Sequence, residues 1–187
     1  MKKLCLLILT IAGFTFTNAQ TQEEMKAWEA QMTPGPQHKW MANYAGEWDA
    51  EIKMWMDPSQ PPTTSKGSCT NTMIMGGRYM EYKFKGDFMG MPFDGQGLMA
   101  YDNAAQKFFS TWCDSMSTGL MYMEGTLDEK TNTLTSIGES IDPMTKKTCQ
   151  TKEVTKYISK DKHVMEMYMI TDGQEMKMME ITYTRKK

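Results

Sequence analysis

Along "EWDAEIKMWM" (47–56) apolar and charged residues alternate, with Trp48, Ala50, Ile52, Met54 and Met56 on one side and Glu47, Asp49, Glu51 and Lys53 on the other. A period of two with one apolar and one wet side belongs to a half-buried strand. "RYMEYKFK" repeats it, setting Met80, Tyr82 and Phe84 against Tyr79, Glu81, Lys83 and Lys85. The rhythm predicts further strands at 68–75, 78–86, 93–101, 107–114, 119–126, 132–139, 147–158, 163–171 and 174–184. Turn residues fill the gaps: Gly76-Gly77, Gly90-Met91-Pro92, Asp102-Asn103, Asp128-Glu129-Lys130, Asp142-Pro143 and Asp172-Gly173.

About ten short strands joined mostly by tight turns predict an all-β fold, an antiparallel up-and-down barrel. A meander with no helix to cover it buries its apolar side only by closing on itself, which also removes exposed strand edges. Two short helices are predicted ahead of the strands. "TQEEMKAWEAQM" (21–32) has an acidic first turn and stops at Thr33-Pro34-Gly35-Pro36, and "PQHKWMANYAG" (36–46) begins on proline and ends on glycine. They are expected to cap one end of the barrel, giving a helical segment over 20–46 and a barrel domain over 47–187.

The N-terminal residues change the picture of where this barrel works. Lys2 and Lys3 precede an apolar run from Leu4 to Phe16, and Thr17-Asn18-Ala19 ends on a small residue. That is the pattern of a signal peptide over 1–19, so the protein is expected to be exported, periplasmic or secreted. The apolar run is short for a membrane span, and no later stretch reaches the eighteen residues a spanning helix needs. Removing Lys2 and Lys3 from the 21 basic residues leaves 19 against 23 acidic ones, a formal charge of −4. An acidic balance without clustered Lys and Arg argues against a nucleic-acid partner. Cys69, Cys113 and Cys149 would then remain, a number that permits one disulfide or three free thiols.

Several stretches, "GEWDAEIKMW", "MIMGGRYMEYKF", "FMGMPFDGQGLMAYDNAAQKFFSTWCDSMST", "EGTLDEKTNTLTSIGE" and "EMKMMEITYTRK", together resemble an uncharacterised bacterial family, domain of unknown function 1579. The resemblance spans nearly all of the chain after residue 19. It implies a lipocalin-like barrel, and Gly46-x-Trp48 is similar to the opening signature of such folds, in which the tryptophan closes the barrel floor. It implies no reaction and transfers no catalytic residue.

The composition has one unusual feature, 22 methionines in 187 residues. Methionines two apart on a strand share a face, which groups Met54 with Met56, Met73 with Met75, Met121 with Met123, Met165 with Met167 and Met169, and Met176 with Met178. Met179 breaks that alternation, and a bulge is expected there. Flexible thioethers fill an irregular core well, and they equally suit the wall of an adaptable apolar pocket. A barrel of this size is wide enough to hold a small ligand. The expected function is therefore binding of a small hydrophobic molecule in a cavity lined by Trp48, Met54, Met80, Tyr82, Phe84, Met99, Trp112, Met165 and Met167.

Other chemistries compete with this one. Thioethers select Cu(I), for which Met165, Met167, Met176 and Met178, with His163, are the candidates. Small haem-binding barrels resemble this pattern and use a histidine late in the chain, which here would be His163, although a histidine beside a charged turn is commonly solvated. No Gly-x-Ser-x-Gly elbow or Ser-His-acid arrangement points to an enzyme, and no cofactor is implied. Among polar residues, Asp114 has the parity of Trp112 and Glu124 that of Leu120 and Tyr122, so both are candidates to point inward with Arg78 as partner. "TRKK" reads as a solvated tail.

Overall fold

The computed structural model describes residues 21–142 and 145–187. The segment read as a signal peptide, and Pro143 of the Asp142-Pro143 turn, lie outside the described residues. The chain divides into two compact units, one ending at Met32 and one running from Thr33 to Lys187. In the first, α1 (Gln22–Met32) buries none of its side chains. It opens on a reciprocal cap in which the Glu24 amide donates to Thr21 Oγ1 (3.2 Å) and the Thr21 amide donates to Glu24 Oε2 (2.7 Å).

The second unit is a closed antiparallel barrel of ten strands preceded by a short helix, α2 (Pro36–Ala42). The strands are β1 (Gly46–Met54), β2 (Thr63–Ile74), β3 (Tyr79–Phe88), β4 (Met91–Asp102), β5 (Lys107–Asp114), β6 (Met121–Asp128), β7 (Thr133–Ile141), β8 (Thr148–Ser159), β9 (Lys162–Thr171) and β10 (Gln174–Arg185). Each pairs with the next in sequence, and β1 closes the ring against β10 with Trp48 opposite Arg185 and Met54 opposite Met179. The alternation of β1 is realised residue by residue, with Trp48, Ala50 and Ile52 buried and Asp49, Glu51 and Lys53 exposed.

Element boundaries differ from expectation where local chemistry overrides the pattern. β2 begins at Thr63 rather than 68, because the polar run Thr63–Lys66 pairs with β1 through its backbone and offers no apolar residue to mark a strand. The β3–β4 connection is Met89-Gly90, both with φ > 0 (53° and 83°), a two-residue hairpin that leaves Pro92 inside β4 opposite Asp87. In β10 the register shifts between Lys177 and Met179, the expected bulge. Its consequence is that Met179, Ile181 and Tyr183 turn inward.

Up-and-down connection gives the barrel two unlike ends. The starts of β1, β3, β5, β7 and β9 gather at a closed floor, together with α2 and the C-terminus. Met41 and Trp48 are fully buried there. Trp48 Nε1 donates to the Tyr44 carbonyl (3.2 Å), which also accepts from Asn71 Nδ2 (3.0 Å). Trp40 Nε1 donates to Asn132 Oδ1 (2.8 Å), and Asn132 Nδ2 donates in turn to Tyr44 Oη and the Tyr157 carbonyl.

Arg185 fastens this end from outside. Its guanidinium lies 4.3 Å from the centre of the Trp48 ring and donates to the carbonyls of Asn43, Ala45 and Lys160 and to Asp161 Oδ1. Gly46, with φ +125°, is required beneath it, since a Cβ there would stand 2.7 Å from Arg185 Nη1. The "TRKK" segment is thus a fastening rather than a solvated tail. Replacing Arg185 by Lys keeps the charge and removes the planar fork, and should lower the unfolding free energy by about 2 kcal/mol in urea denaturation. An unchanged midpoint would contradict this role.

Candidate ligand-binding cavity

Above the floor the barrel is hollow. A cavity of about 340 Å³ runs from His163 and Tyr157 near the closed end to Met54, Asp87, Phe88, Asp114 and Met121 at the other end, the mouth. Its volume lies at the small end of the range for ligand pockets.

One wall is aromatic, and glycine makes it possible. Tyr82, Gly97 and Trp112 are neighbours across β3, β4 and β5. The Tyr82 ring lies across Gly97 to donate from Oη to the Thr111 carbonyl (3.0 Å), and a Cβ at Gly97 would stand 2.4 Å from that ring. Trp112 covers Gly95 in the same manner, 2.2 Å from the place of a Cβ. The rings form a stack in which Tyr82 and Phe93 lie 6.0 and 6.4 Å from Trp112 at interplanar angles of 20° and 19°. Trp112 Nε1 donates to Asp114 Oδ2 (2.9 Å), which fixes its orientation at the mouth.

The facing wall is thioether. Met54, Met179 and Met167 are successive neighbours across β1, β10 and β9, and all three line the cavity with Met165, Met121 and Met123. Met80, Phe84 and Met99 line it from β3 and β4. Trp48 does not: it is sealed in the floor below, because its indole N–H is committed to Tyr44 and its face to Arg185. Met56 and Met75 fall beyond the ends of their strands and are exposed. The four methionines considered for Cu(I) do not converge. Met165 and Met167 are inside, Met176 lies in an outer groove beside Trp55 and Lys177, and Met178 sits at the bulge.

The polar candidates also separate. Asp114 lines the mouth. Glu124 faces outward and pairs with Lys107 at 2.9 Å. Apolar residues occur at both parities of β6, and Tyr122 finds an outer partner in Phe109 (5.9 Å, 23°), so Met121 and Met123 take the interior. Arg78 is exposed in the β2–β3 turn at the floor end, where Nη1 donates to the Met75 carbonyl. It therefore sits at the opposite end of the barrel from Asp114. The three cysteines among the described residues, Cys69, Cys113 and Cys149, are free, and Cys69 is buried, which pushes its thiol up to about 12.

Two titratable residues gain prominence in the folded chain. His163 is buried rather than solvated, flanked by Tyr183 (4.5 Å, 19°), Tyr157 (5.3 Å, 30°) and the edge of Trp48 (4.6 Å), and its Nδ1 has no hydrogen-bond partner. Burial, with the nearby Arg185 charge, pulls its pKa down to about 4. Glu153 lines the cavity from β8, and desolvation raises its pKa above the ordinary carboxylate value. Its neutral form suits the fold, so the stability it contributes at low pH is lost as the pH rises through its folded pKa. Sequence reasoning missed Glu153 because "KEVTKYIS" reads in reverse, with Val154 and Ile158 outward and Glu153, Thr155 and Tyr157 inward. The parity of Tyr157 was the available signal.

Residues 33–185 match the family described as "Protein of unknown function (DUF1579)". The chain belongs to this family. No curated protein matches the sequence. Among solved structures, Rv2717c from M. tuberculosis is similar with a TM-score of 0.61 at 12% identity, covering 83% of this chain and 100% of that one, a likeness of fold. A redesigned beta barrel matches at a TM-score of 0.41 and 12% identity, over 79% of this chain and 95% of that one.

The floor makes a prediction about acid. Between pH 6.5 and about 4 the unfolded chain takes up a proton at His163 that the folded chain refuses. Relative to a His163→Phe variant, the wild type should lose about 3 kcal/mol across that window in denaturant titrations at pH 7 and pH 4. A difference independent of pH would show that His163 is not held neutral.

Proposed function

We propose that this protein binds a small hydrophobic molecule inside its barrel and does not transform it. The observation that supports this reading is the cavity of about 340 Å³, closed at one end and walled by Met54, Met165, Met167 and Met179 opposite stacked Tyr82, Trp112 and Phe93. Thioethers repack around ligands of different shape at little cost, whereas the aromatic wall stays rigid on its glycines. Ligand binding in barrels of this architecture adds support by analogy.

Binding fits better than catalysis because, among the described residues, Asp114 and His163 are not arranged as an acid–base pair. Asp114 is spent on Trp112 and the Met116 amide, and His163 Nδ1 meets no acid or nucleophile. We place this activity outside the cytoplasm, on the strength of the N-terminal basic and apolar pattern.

Filling the space should abolish binding without unfolding the chain. With 1-decanol as probe, Met167→Trp should weaken affinity at least tenfold by calorimetry with the thermal midpoint kept, while the exposed control Met75→Trp leaves affinity unchanged. Equal affinity in both variants would place the binding site elsewhere.

A further inference from the structure

The charge of the cavity is one-sided. Asp87, Asp114 and Glu153 line it, and among the described residues no lysine or arginine does. The lysines and arginines of the barrel wall face out, as in the ladder that runs Lys53, Glu180, Lys177, Glu166, Lys156 across β1, β10, β9 and β8. Among the described residues His163 is the only basic side chain lining the interior, and it is held uncharged. A pocket for an anionic amphiphile would need a cation to receive the headgroup, because an unpaired carboxylate is costly to desolvate. This interior offers the opposite sign.

Glu153 is the deeper of these acids. It occupies the middle of β8, in register with Ser136 of β7 on one side and Met167 of β9 on the other. Its side chain is half-buried and faces into the barrel, so what remains accessible is cavity surface. Thr155 Oγ1 donates to Oε1 at 3.3 Å. Tyr82, on the opposite wall, already donates to the Thr111 carbonyl. Besides Asp87, Asp114 and the uncharged His163, the interior holds Tyr157 on the same strand, Tyr183 and Cys69, and burial keeps these last three in their neutral forms. A carboxyl so placed has acceptor capacity directed at the ligand space and no cation to meet it.

The mouth is arranged for the same sign. The faces of Tyr82, Trp112 and Phe93 are electron-rich, Asp114 is bonded to the Trp112 edge, and Asp87, which accepts from the Gly90 amide (2.7 Å), also lines the mouth. Stacked aromatic faces beside carboxylates attract cations. We propose that the ligand is a small lipophilic amine, drawn in as its ammonium past Asp87, Asp114 and the aromatic stack, and held by a charge-assisted hydrogen bond to Glu153 with its apolar part against the thioether wall. One proton lies between nitrogen and oxygen in the bound pair, whether it arrives on the ammonium or is already on the carboxyl. This assignment rests on the hydrophobic-binding reading above and narrows it.

Three probes sharing one tail separate the two. In calorimetry at pH 7 on the full-length protein, decylammonium should bind at least tenfold more tightly than 1-decanol, and decanoate most weakly. Glu153→Gln, which preserves shape, should remove the decylammonium preference and leave decanol affinity within about threefold, the latter also showing that the variant is folded. Decanol binding with no preference for the amine, or a preference that survives in Glu153→Gln, overturns the amine assignment and leaves hydrophobic binding standing. Failure of all three probes to bind overturns both.

Discussion

The closure of β1 on β10 is the constraint on which the rest of this molecule depends. Trp48 and Arg185 face each other across that seam, and the guanidinium covers the indole while bonding the backbone at Asn43, Ala45 and Lys160. One residue thus joins the chain before β1, the β8–β9 turn and the end of β10. Without that junction the meander would be an open curved sheet with two long edges, and its apolar face would have nothing to enclose. With it, the floor is sealed by large aromatic side chains and the space above is left free.

That division of labour accounts for the abundance of methionine. The floor uses rings with fixed hydrogen bonds: Asn132 joins the Trp40 indole, the Tyr44 phenol and the Tyr157 backbone carbonyl, and the Trp48 indole bonds the Tyr44 carbonyl. The wall of β1, β9 and β10 above it uses thioethers, side chains without directional demands. Val or Ile would satisfy strand geometry equally well, yet each is stiff at χ1 and would give the wall one shape. Thioethers opposite a rigid aromatic stack give one wall that yields and one that does not.

Most of the fold was legible in the sequence, because a barrel wall needs its two faces to differ and β1 and β3 state that difference at every residue. The methionine stripe on β9 gave the inward face of Met165 and Met167, and the break at Met179 gave the bulge. What was not legible followed from long-range partners. Trp48 is apolar and inward, and parity alone put it among the cavity-lining residues; the family resemblance pointed to the floor, where Arg185, 137 positions later, covers its ring. Glu124 and Glu153 illustrate a second reason. Apolar residues stand on both sides of β6 and β8, so parity alone cannot choose the inner face, and the choice falls to neighbours such as Phe109 and Tyr157.

The central claim is that a specific subset of methionines surrounds a space that a ligand can occupy. Methionine-methyl NMR on the ε-13C-labelled protein, titrated with 1-decanol, tests it most directly. The account predicts that the signals of Met54, Met165, Met167 and Met179 shift with ligand while those of Met56, Met75 and Met89 stay in place. Movement of the exposed methyls with the inner ones unmoved would contradict it.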